Sequence, residues 1–295
     1  MMKIYTFDQI YKSCVIGAKN KSFNADEIKL NAFLRACHNH YRIYASYGLL
    51  HQYIDKTEHM GWDKNRLLDL YNLRLSKNGT TARKYYNLLK SYSADNKCTL
   101  CHISEADSLD HFLPKEYFPS LTISPNNLIP SCDKCNRKKL EYFSDQKDAQ
   151  LIHPRFEGYY NSFWLLAHFD ENQNRIIVLP NRNIYPEGST EYQRISKHIN
   201  RLGITTAYET NAMRKVREIV KSTMIHTNLT LKAAVKKELE TLQANFEEYM
   251  EAKFTFDMWK LITCIALLES DYFLTNGKEI FSGQPVIKKP NYGFR

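Results

Sequence analysis

From Cys98 to Lys139 the chain reads CTLCHISEADSLDHFLPKEYFPSLTISPNNLIPSCDKCNRKK. Two Cys-x-x-Cys knuckles bracket this stretch, Cys98/Cys101 and Cys132/Cys135. Paired knuckles separated by a few tens of residues have the ligand number and spacing of a closed, tetrahedral, four-cysteine zinc site. Two chance pairs among the seven cysteines of the chain would leave the patterned residues between the knuckles unexplained. We therefore predict one structural zinc ion bound by the four cysteines.

The residues between and beside the knuckles carry a resemblance to a known family. The order Cys-x2-Cys, Asp-His, Asn-Leu, Cys-x2-Cys-Asn and Arg-Lys-Lys resembles the HNH endonucleases of the ββα-metal type in their zinc-stapled form. The resemblance implies that Asp110 is a ligand of a catalytic divalent metal and that His111 is the general base. It also implies that Asn127 holds the first loop in place. Asn136 stands where many members have His, which makes this chain an H-N-N variant.

The metal preference follows from the type of ligand that Asn136 provides. An Asn side chain still offers an oxygen to a hard cation, so the resemblance implies Asp110 and Asn136 as ligands of Mg2+ or Mn2+ rather than of a catalytic zinc. Phosphodiester hydrolysis needs a deprotonated water and a group that stabilises charge on the phosphate and the leaving oxygen. A His with a pKa near neutrality suits the first task, and a cation held by Asp suits the second.

The same stretch predicts a local ββα structure. We expect a short strand over 109–112, a second over 128–130, and a helix from 132 to about 143. The first turn of that helix carries Asn136, which is expected to face the hairpin. A fragment of this size cannot bury enough apolar surface to fold alone, so the zinc ion is expected to supply the missing stability.

Composition limits the class of protein. At 295 residues the chain is long enough for more than one domain, and its 43% hydrophobic and 25% charged residues are ordinary for a soluble globular protein. The scarcity of Gly (10) and Pro (9) favours helices over an all-β fold. A net charge of +9 fits a polyanionic partner. An odd number of cysteines, the absence of an apolar signal core and a longest apolar run over only 261–268 predict a reducing, cytoplasmic location without a membrane span.

Periodicity elsewhere predicts a mainly α protein with the small zinc-stapled centre inserted between helical regions. We expect an N-terminal helical region over 1–95, the HNH centre over 96–145, a β-hairpin connector over 146–188 and a C-terminal helical region over 189–295. Within these segments, helices are predicted over 64–76 and 81–92, and strands over 163–169 and 175–179. Gly203 is predicted to be the C-cap of the helix that follows residue 189.

Basic residues on and near the motif are the candidate nucleic-acid contacts, and those predicted from the motif itself are Lys115, Arg137, Lys138 and Lys139. A helix after residue 189 carries a second candidate row, for which a solvated helical face is an equally good interpretation: Arg194, Lys197, His198 and Arg201.

Other histidines are weaker candidates. His38 and His40 follow Cys37, but neighbours on a helix fan out around its axis, so a metal site there is the less favoured interpretation. His153 precedes a proline, as in some similar HNH proteins. The pair could contact a phosphate or form a plain turn, and the turn is the favoured interpretation.

The sequence thus predicts a metal-dependent HNH endonuclease that hydrolyses nucleic-acid phosphodiesters, with DNA favoured over RNA. The arrangement resembles HNH components of bacterial anti-phage defence systems, which often act beside a separate ATPase or regulatory subunit. No phosphate-binding G-x-x-x-x-G-K-[ST] motif occurs in the chain itself. Two alternatives stay open, namely an HNH-type ribonuclease for structured RNA such as tRNA, and a non-catalytic zinc-ribbon module that binds nucleic acid.

Overall fold

The computed structural model describes residues 6–16, 22–161, 163–226, 228–252 and 257–283. They form two compact units. The first consists mainly of the chain up to Trp164 together with Pro180–Ile204, and the second of Leu165–Leu179, Thr205–Glu251 and the described residues from Asp257 onward. The segment boundaries predicted after residues 95, 145 and 188 stay predictions, and residues 284–295 of the predicted C-terminal region lie outside the described part of the chain.

Helices precede the motif in the first unit, and they are α1 (Phe7–Val15), α2 (Ala25–Ser46), α3 (Lys64–Asp69) and α4 (Arg83–Lys90). Capping boxes start the first two, because Thr6 and Asn24 each accept a hydrogen bond from the N3 backbone while the N3 side chain bonds back. The chain after α3 continues as a π-helix over Leu70–Leu75. The helix predicted over 64–76 is therefore present, with its second half wound more widely than an α-helix.

The motif folds as a hairpin followed by a short helix. Strand β1 (Ser108–His111) pairs antiparallel with β2 (Leu128–Ser131), so that His111 lies opposite Leu128. Helix α5 (Asp133–Lys139) follows directly. The two strands agree with the prediction to within one residue at each end. The helix stops at Lys139 rather than near 143, because Leu140 adopts a positive φ of 48° that a right-handed helix cannot continue.

Tyrosines of the N-terminal helices fix the hairpin in place. Leu109 and Leu128 belong to one hydrophobic cluster with residues of α1, α2, α3 and α4. The hydroxyl of Tyr86 accepts from the Leu109 N–H at 3.0 Å, and the hydroxyl of Tyr71 donates to the Leu109 carbonyl at 2.9 Å. Both backbone groups of Leu109 are thus held by the helical body, which gives β1 a defined position.

Helix α6 (Thr190–Leu202) completes the described secondary structure of the first unit. Ser189 caps its N-terminus by accepting from the Tyr192 N–H, and Gly203 ends it with a φ of 64°. Such a left-handed residue is most often glycine, so the predicted C-cap is confirmed.

The second unit consists of a hairpin and helices. Its elements are β3 (Leu165–Asp170), β4 (Arg175–Pro180), α7 (Ile204–Ile225), α8 (Leu231–Ala252), α9 (Met258–Leu268) and α10 (Asp271–Ser282). The backbone of Val178 in β4 donates to Glu209 of α7 at 3.2 Å, and the ring of Phe169 in β3 lies 5.3 Å from that of Phe273 in α10. The predicted second hairpin and the mainly α fold are therefore confirmed. None of the helices in the described ranges is both long and apolar enough to cross a bilayer.

Candidate active site

The four knuckle cysteines converge in a buried cluster. Their sulfur atoms all lie within 4.8 Å of one another, and the Sγ atoms of Cys101 and Cys132 are 4.0 Å apart. A tetrahedral ion with Zn–S bonds of about 2.3 Å requires sulfur atoms roughly 3.8 Å apart. Cys132 is also the N-cap of α5, where its sulfur accepts from the Cys135 N–H at 3.4 Å. The four cysteines could therefore hold a zinc ion, and they are the one such His, Cys, Asp or Glu group found in the described ranges.

Because the four thiols lie so close together, the ionisation of one affects the others, and their pKa values differ. Hydrogen bonds from Cys101 and Cys135 hold the pKa of Cys132 far below its usual range. The N-terminal position of Cys132 on α5 acts in the same direction, because a helix N-terminus favours negative charge. The same hydrogen bonds raise the pKa values of Cys98 and Cys135, so Cys132 is the thiol most ready to ionise. A thiolate is the form that binds a metal.

His198 fastens the first knuckle to α6. Its Nδ1 accepts from the Ile152 N–H at 3.2 Å, and its Nε2 donates to the carbonyl of Leu100, between the first two cysteines, at 3.0 Å. The side chain is fully buried, and burial lowers its pKa to about 4. The sequence placed His198 in a row of candidate phosphate contacts, and this was wrong, because a buried neutral imidazole with both nitrogens bonded has no access to a phosphate.

Arg194 is not a phosphate contact either. Its guanidinium forms a bidentate ion pair with Glu157 and donates to the carbonyl of Leu151 at 2.9 Å. The side chain is buried, with only 6% of it exposed. Arg194 therefore serves to hold the chain after the motif against α6, and only Lys197 and Arg201 of that row remain exposed.

Asp110 is a buried carboxylate on β1. Its Oδ1 accepts from the His111 N–H at 2.7 Å. Its Oδ2 forms an ion pair with the Nζ of Lys139 at 3.2 Å, but no group among the described residues donates a well-aligned hydrogen bond to it. Burial raises the pKa of Asp110, while the Lys139 ammonium opposes this shift. A buried carboxylate oxygen without a proper donor is a suitable ligand atom for a hard cation.

His111 is fixed in one orientation beside Asp110. Its Nε2 donates to the carbonyl of Thr122 at 2.8 Å, and the ring of Tyr71 packs edge-on at 4.4 Å. Donation from Nε2 leaves the lone pair on Nδ1, for which no protein donor occurs among the described residues. Burial lowers the pKa of His111 to about 3, although the Thr122 carbonyl acts against this shift. The imidazole is therefore neutral at pH 7, and its Nδ1 can accept a proton. Its pKa lies well below the near-neutral value expected from the sequence, so in this buried state His111 is a weaker base than that expectation assumed.

Asn127 connects the two strands of the hairpin through the loop that follows β1. Its Oδ1 accepts from the Leu113 N–H at 2.8 Å, and its Nδ2 donates to the Leu113 carbonyl at 3.0 Å. Its own carbonyl accepts from the Phe112 N–H at 2.8 Å. The side chain is completely buried. Asn127 thus fixes the backbone immediately after His111, which in turn limits how the His111 ring is presented.

Asn136 lies on the first turn of α5 and is half-buried. Its backbone N–H donates to the Cys132 carbonyl at 3.0 Å. Its side chain makes no hydrogen bond to Asp110 or His111 among the described residues. The role of Asn136 as a second metal ligand stays a prediction.

The basic residues of the motif divide into different environments. Lys139 is buried, with 1% of its side chain exposed, and its Nζ donates to the carbonyl of His111 at 2.6 Å while facing Asp110. It therefore cannot reach a phosphate on the surface, in contrast to the sequence expectation. Arg137 is exposed and pairs with Asp133 one turn earlier. Lys115 donates to Asn72 at 2.6 Å, and Lys138 is exposed beside Gly203.

The other candidate histidines serve structural roles. His38 Nδ1 bonds the Ser124 hydroxyl at 2.8 Å, and the ring of His40 packs on that of Tyr44 at 4.5 Å. His153 is buried, and its Nε2 bonds the Tyr41 hydroxyl at 2.9 Å. The less favoured interpretation, a metal site at His38 and His40, finds no support, because within the described ranges neither residue belongs to a group of side chains that could hold a metal ion. The buried His153 cannot make the phosphate contact that was one reading of its His-Pro pair.

Sequence reasoning missed the residues that set the orientation of the Asp-His pair. Thr122, Tyr71 and Lys139 contact His111 or Asp110, and neither Thr122 nor Tyr71 belongs to a recognisable spacing pattern. A signal existed only for Lys139, which is three residues after Asn136 and therefore on the same face of α5.

No protein-family model matches the chain, and no solved structure matches it either. The chain is 27% identical over 225 residues to protein ea31 of Escherichia phage lambda, which is 70% of this chain and 74% of that protein. Over 82 residues it is 34% identical to Septu protein PtuB of Bacillus thuringiensis, which is 26% of this chain and 31% of that protein. The chain is thus similar to a phage protein over most of its length and to a Septu protein over about a quarter of it.

Proposed function

We propose that this protein is a metal-dependent HNH endonuclease that hydrolyses nucleic-acid phosphodiesters, and that it acts in anti-phage defence. The observation that carries the proposal is the pair Asp110–His111 on β1. A buried carboxylate oxygen that lacks a well-aligned donor lies next to a neutral imidazole whose free nitrogen is Nδ1. This is the combination of cation ligand and general base that phosphodiester hydrolysis requires.

Asp110 is the residue best suited to hold a catalytic cation, with Asn136 as the proposed second ligand. Mg2+ and Mn2+ prefer oxygen ligands, and when bound such an ion stabilises negative charge on the phosphate and on the leaving oxygen. The buried Oδ2 of Asp110 fits this use, because it already faces one cationic group, the Lys139 ammonium at 3.2 Å, and no donor in the described ranges is well aligned with it.

The remaining residues orient the base. The Thr122 carbonyl fixes the tautomer of His111 with the proton on Nε2, so Nδ1 accepts the proton of the attacking water. Asn127 fixes the backbone that follows His111 through its two bonds to Leu113. The proton taken by His111 is drawn from a water whose oxygen attacks phosphorus, and the bond to the leaving oxygen breaks. The four-cysteine cluster would hold a structural zinc ion, which would fix the position of α5 relative to β2.

The proposed setting rests on the comparisons. The similarity to Septu protein PtuB and the resemblance of the motif to HNH components of bacterial anti-phage systems support a defence role, with a separate ATPase or regulatory subunit as the proposed partner. The net charge of +9 supports nucleic acid as the substrate, with DNA favoured and structured RNA such as tRNA as the alternative.

The decisive experiment compares substrates and variants. Purified protein is incubated with plasmid DNA, single-stranded DNA and total tRNA, with Mg2+, with Mn2+ and without added metal. We expect cleavage only with metal, and a loss of about 10²–10⁴-fold in rate for His111→Ala. His59→Ala, which changes an exposed histidine of the same unit, should cleave like the parent. Zinc content should be the same in all three proteins.

The outcomes separate the alternatives. Cleavage confined to tRNA would identify the ribonuclease. Equal rates for His111→Ala and the parent would remove the general-base assignment, and the absence of any metal-dependent cleavage with retained zinc and nucleic-acid binding would favour the zinc-ribbon binding module.

A further inference from the structure

Exposed cations gather around one tyrosine beside the motif helix. The ring of Tyr142 lies three residues beyond the end of α5, and its hydroxyl donates to the Ala149 carbonyl at 2.6 Å. The guanidinium carbon of Arg201 is 5.0 Å from the ring centroid, and the Nζ of Lys197 is 5.9 Å from it. Both cations belong to α6 and lie one helical turn apart. One half-buried ring therefore holds two positive groups at the surface.

A third exposed cation, on α5, reaches the end of α6. A Cβ atom placed on Gly203 would lie 1.9 Å from the Nζ of Lys138, so this ammonium rests directly on the glycine that ends α6. Only the absence of a side chain at Gly203 allows this approach. Gly203 is two residues after Arg201, and Lys138 is four residues before Tyr142. We call Lys138, Lys197, Arg201 and the ring of Tyr142 the Tyr142 patch.

The cations of the patch have no ion-pair partner among the described residues. Within the described ranges, no carboxylate lies within 4 Å of any of the three, whereas Arg137 next to the patch is paired with Asp133. Asp148 acts on the electrostatics of Tyr142 but forms no ion pair with these cations. Like charges held near one ring repel one another, and a bound anion would relieve this repulsion.

The position of the patch links it to the Asp-His pair. Lys138 is adjacent in sequence to Lys139, whose Nζ bonds the His111 carbonyl at 2.6 Å. From Lys197 to Arg201 the helix rises about 6 Å, whereas a duplex rises about 3.4 Å along its axis for each nucleotide of one strand. Cations in this arrangement suit a chain of phosphates better than a single anion.

We propose that the Tyr142 patch binds the backbone phosphates of the nucleic acid on the side of α5 toward α6. This proposal rests on the proposed function, since α5 carries Asn136, the proposed second ligand of the catalytic cation, and the substrate would therefore lie near α5. An acidic protein surface is the competing partner for three unpaired cations. Nucleic acid is favoured because the cations lie on and beside α5, which carries the proposed metal ligand Asn136, and because the net charge of +9 suits a polyanion.

The test is a binding measurement without added divalent metal, so that nothing is cut and no chelator removes zinc. The triple variant Lys138→Gln/Lys197→Gln/Arg201→Gln is compared with the parent on a labelled duplex and a labelled single strand across a salt series. The matched control removes the same charge from exposed positions of α8 in the second unit, by Lys232→Gln/Lys236→Gln/Lys237→Gln. Zinc content and circular dichroism verify folding.

We expect the triple variant to lose about 10–100-fold in affinity, and its log–log salt slope on duplex DNA to become shallower by up to about 2.7. The control should bind like the parent. The double variant Lys197→Gln/Arg201→Gln, which leaves α5 unchanged, should show a slope shallower by up to about 1.8.

The result that overturns the proposal is a triple variant with the affinity and salt slope of the parent, and the patch would then be assigned to an acidic protein partner. This failure differs from failure of the proposed function. If the parent cleaves and the triple variant binds as tightly as the parent, only the proposal about the patch is refuted. If the parent binds through the patch but cleaves nothing with Mg2+ or Mn2+, only the proposed hydrolysis is refuted.

Discussion

Replacing Lys139 with Met is expected to lower the free energy of unfolding of the first unit by about 3–5 kcal/mol at pH 7, because removing one partner of a buried ion pair leaves the other uncompensated. The side chains of Lys139 and Asp110 are 1% and 10% exposed, and the charges are 3.2 Å apart. The Nζ of Lys139 also donates to the His111 carbonyl, so a backbone acceptor loses its partner as well. Met keeps the apolar stem of Lys and therefore isolates the effect of the charge.

A double-mutant cycle assigns the effect to the pair. In a background with Asp110→Asn the buried carboxylate is absent, so Lys139→Met should be far less destabilising there than in the parent. Lys134→Met is the matched control, since Lys134 is exposed on the same helix, and it should change stability by no more than about 0.5 kcal/mol. The assay is urea unfolding of the zinc-loaded proteins, followed by circular dichroism.

The pH dependence supplies an independent check. Burial already raises the pKa of Asp110 in the folded protein, and loss of Lys139 should raise it further. An acid whose folded pKa exceeds its unfolded value gains stability at low pH and loses it as the pH rises through the folded pKa. The deficit of Lys139→Met should therefore shrink from pH 7 to pH 5, by at most about 1.4 kcal/mol per pH unit. A variant as stable as Lys134→Met at pH 7, or a deficit that Asp110→Asn does not reduce, would refute the reasoning.

Four further outcomes are expected. Cys132→Ser should remove the bound zinc, about one ion per chain by metal analysis, and should lower the melting temperature; zinc retained at the level of the parent would contradict the cluster assignment. The pKa values of His153 and His198 are lowered to about 3 and 4. Their contribution to the free energy of unfolding is therefore complete above about pH 6.5, and it decreases as the pH falls toward those values, by up to about 1.4 kcal/mol per pH unit for each. Urea unfolding at pH 7, 6 and 5 measures this decrease. Asn127→Ala should cost about 1–3 kcal/mol in urea unfolding, because a buried backbone N–H loses its acceptor, and should lower the cleavage rate without lowering zinc content. Gly203→Ala should lower the melting temperature through about 1–2 kcal/mol of backbone strain at a positive φ, and should displace the Lys138 ammonium; an unchanged melting temperature would count against that strain.

Much of the fold could be predicted because its signals are local. The Cys-x-x-Cys pairs, the patterned stretch between them and the glycine cap at Gly203 each act over a few residues. They placed the motif strands to within one residue. The prediction failed at the end of α5, because the left-handed conformation of Leu140 is imposed by the surroundings and not by the residue type.

The sequence by itself determined which chemical groups are present: the four thiols, the carboxylate–imidazole pair on β1, the amide of Asn127 and an excess of positive charge. Only the tertiary structure decided how each group is used. Lys139 faces inward because Asp110 lies on the strand beneath it, and His198 is buried because it bonds a carbonyl 98 residues away. Such contacts depend on which backbone atoms meet after packing, and spacing along the chain carries no record of that. The same packing left Lys197 and Arg201 beside the ring of Tyr142, and it placed the Lys138 ammonium against Gly203 at the end of α6.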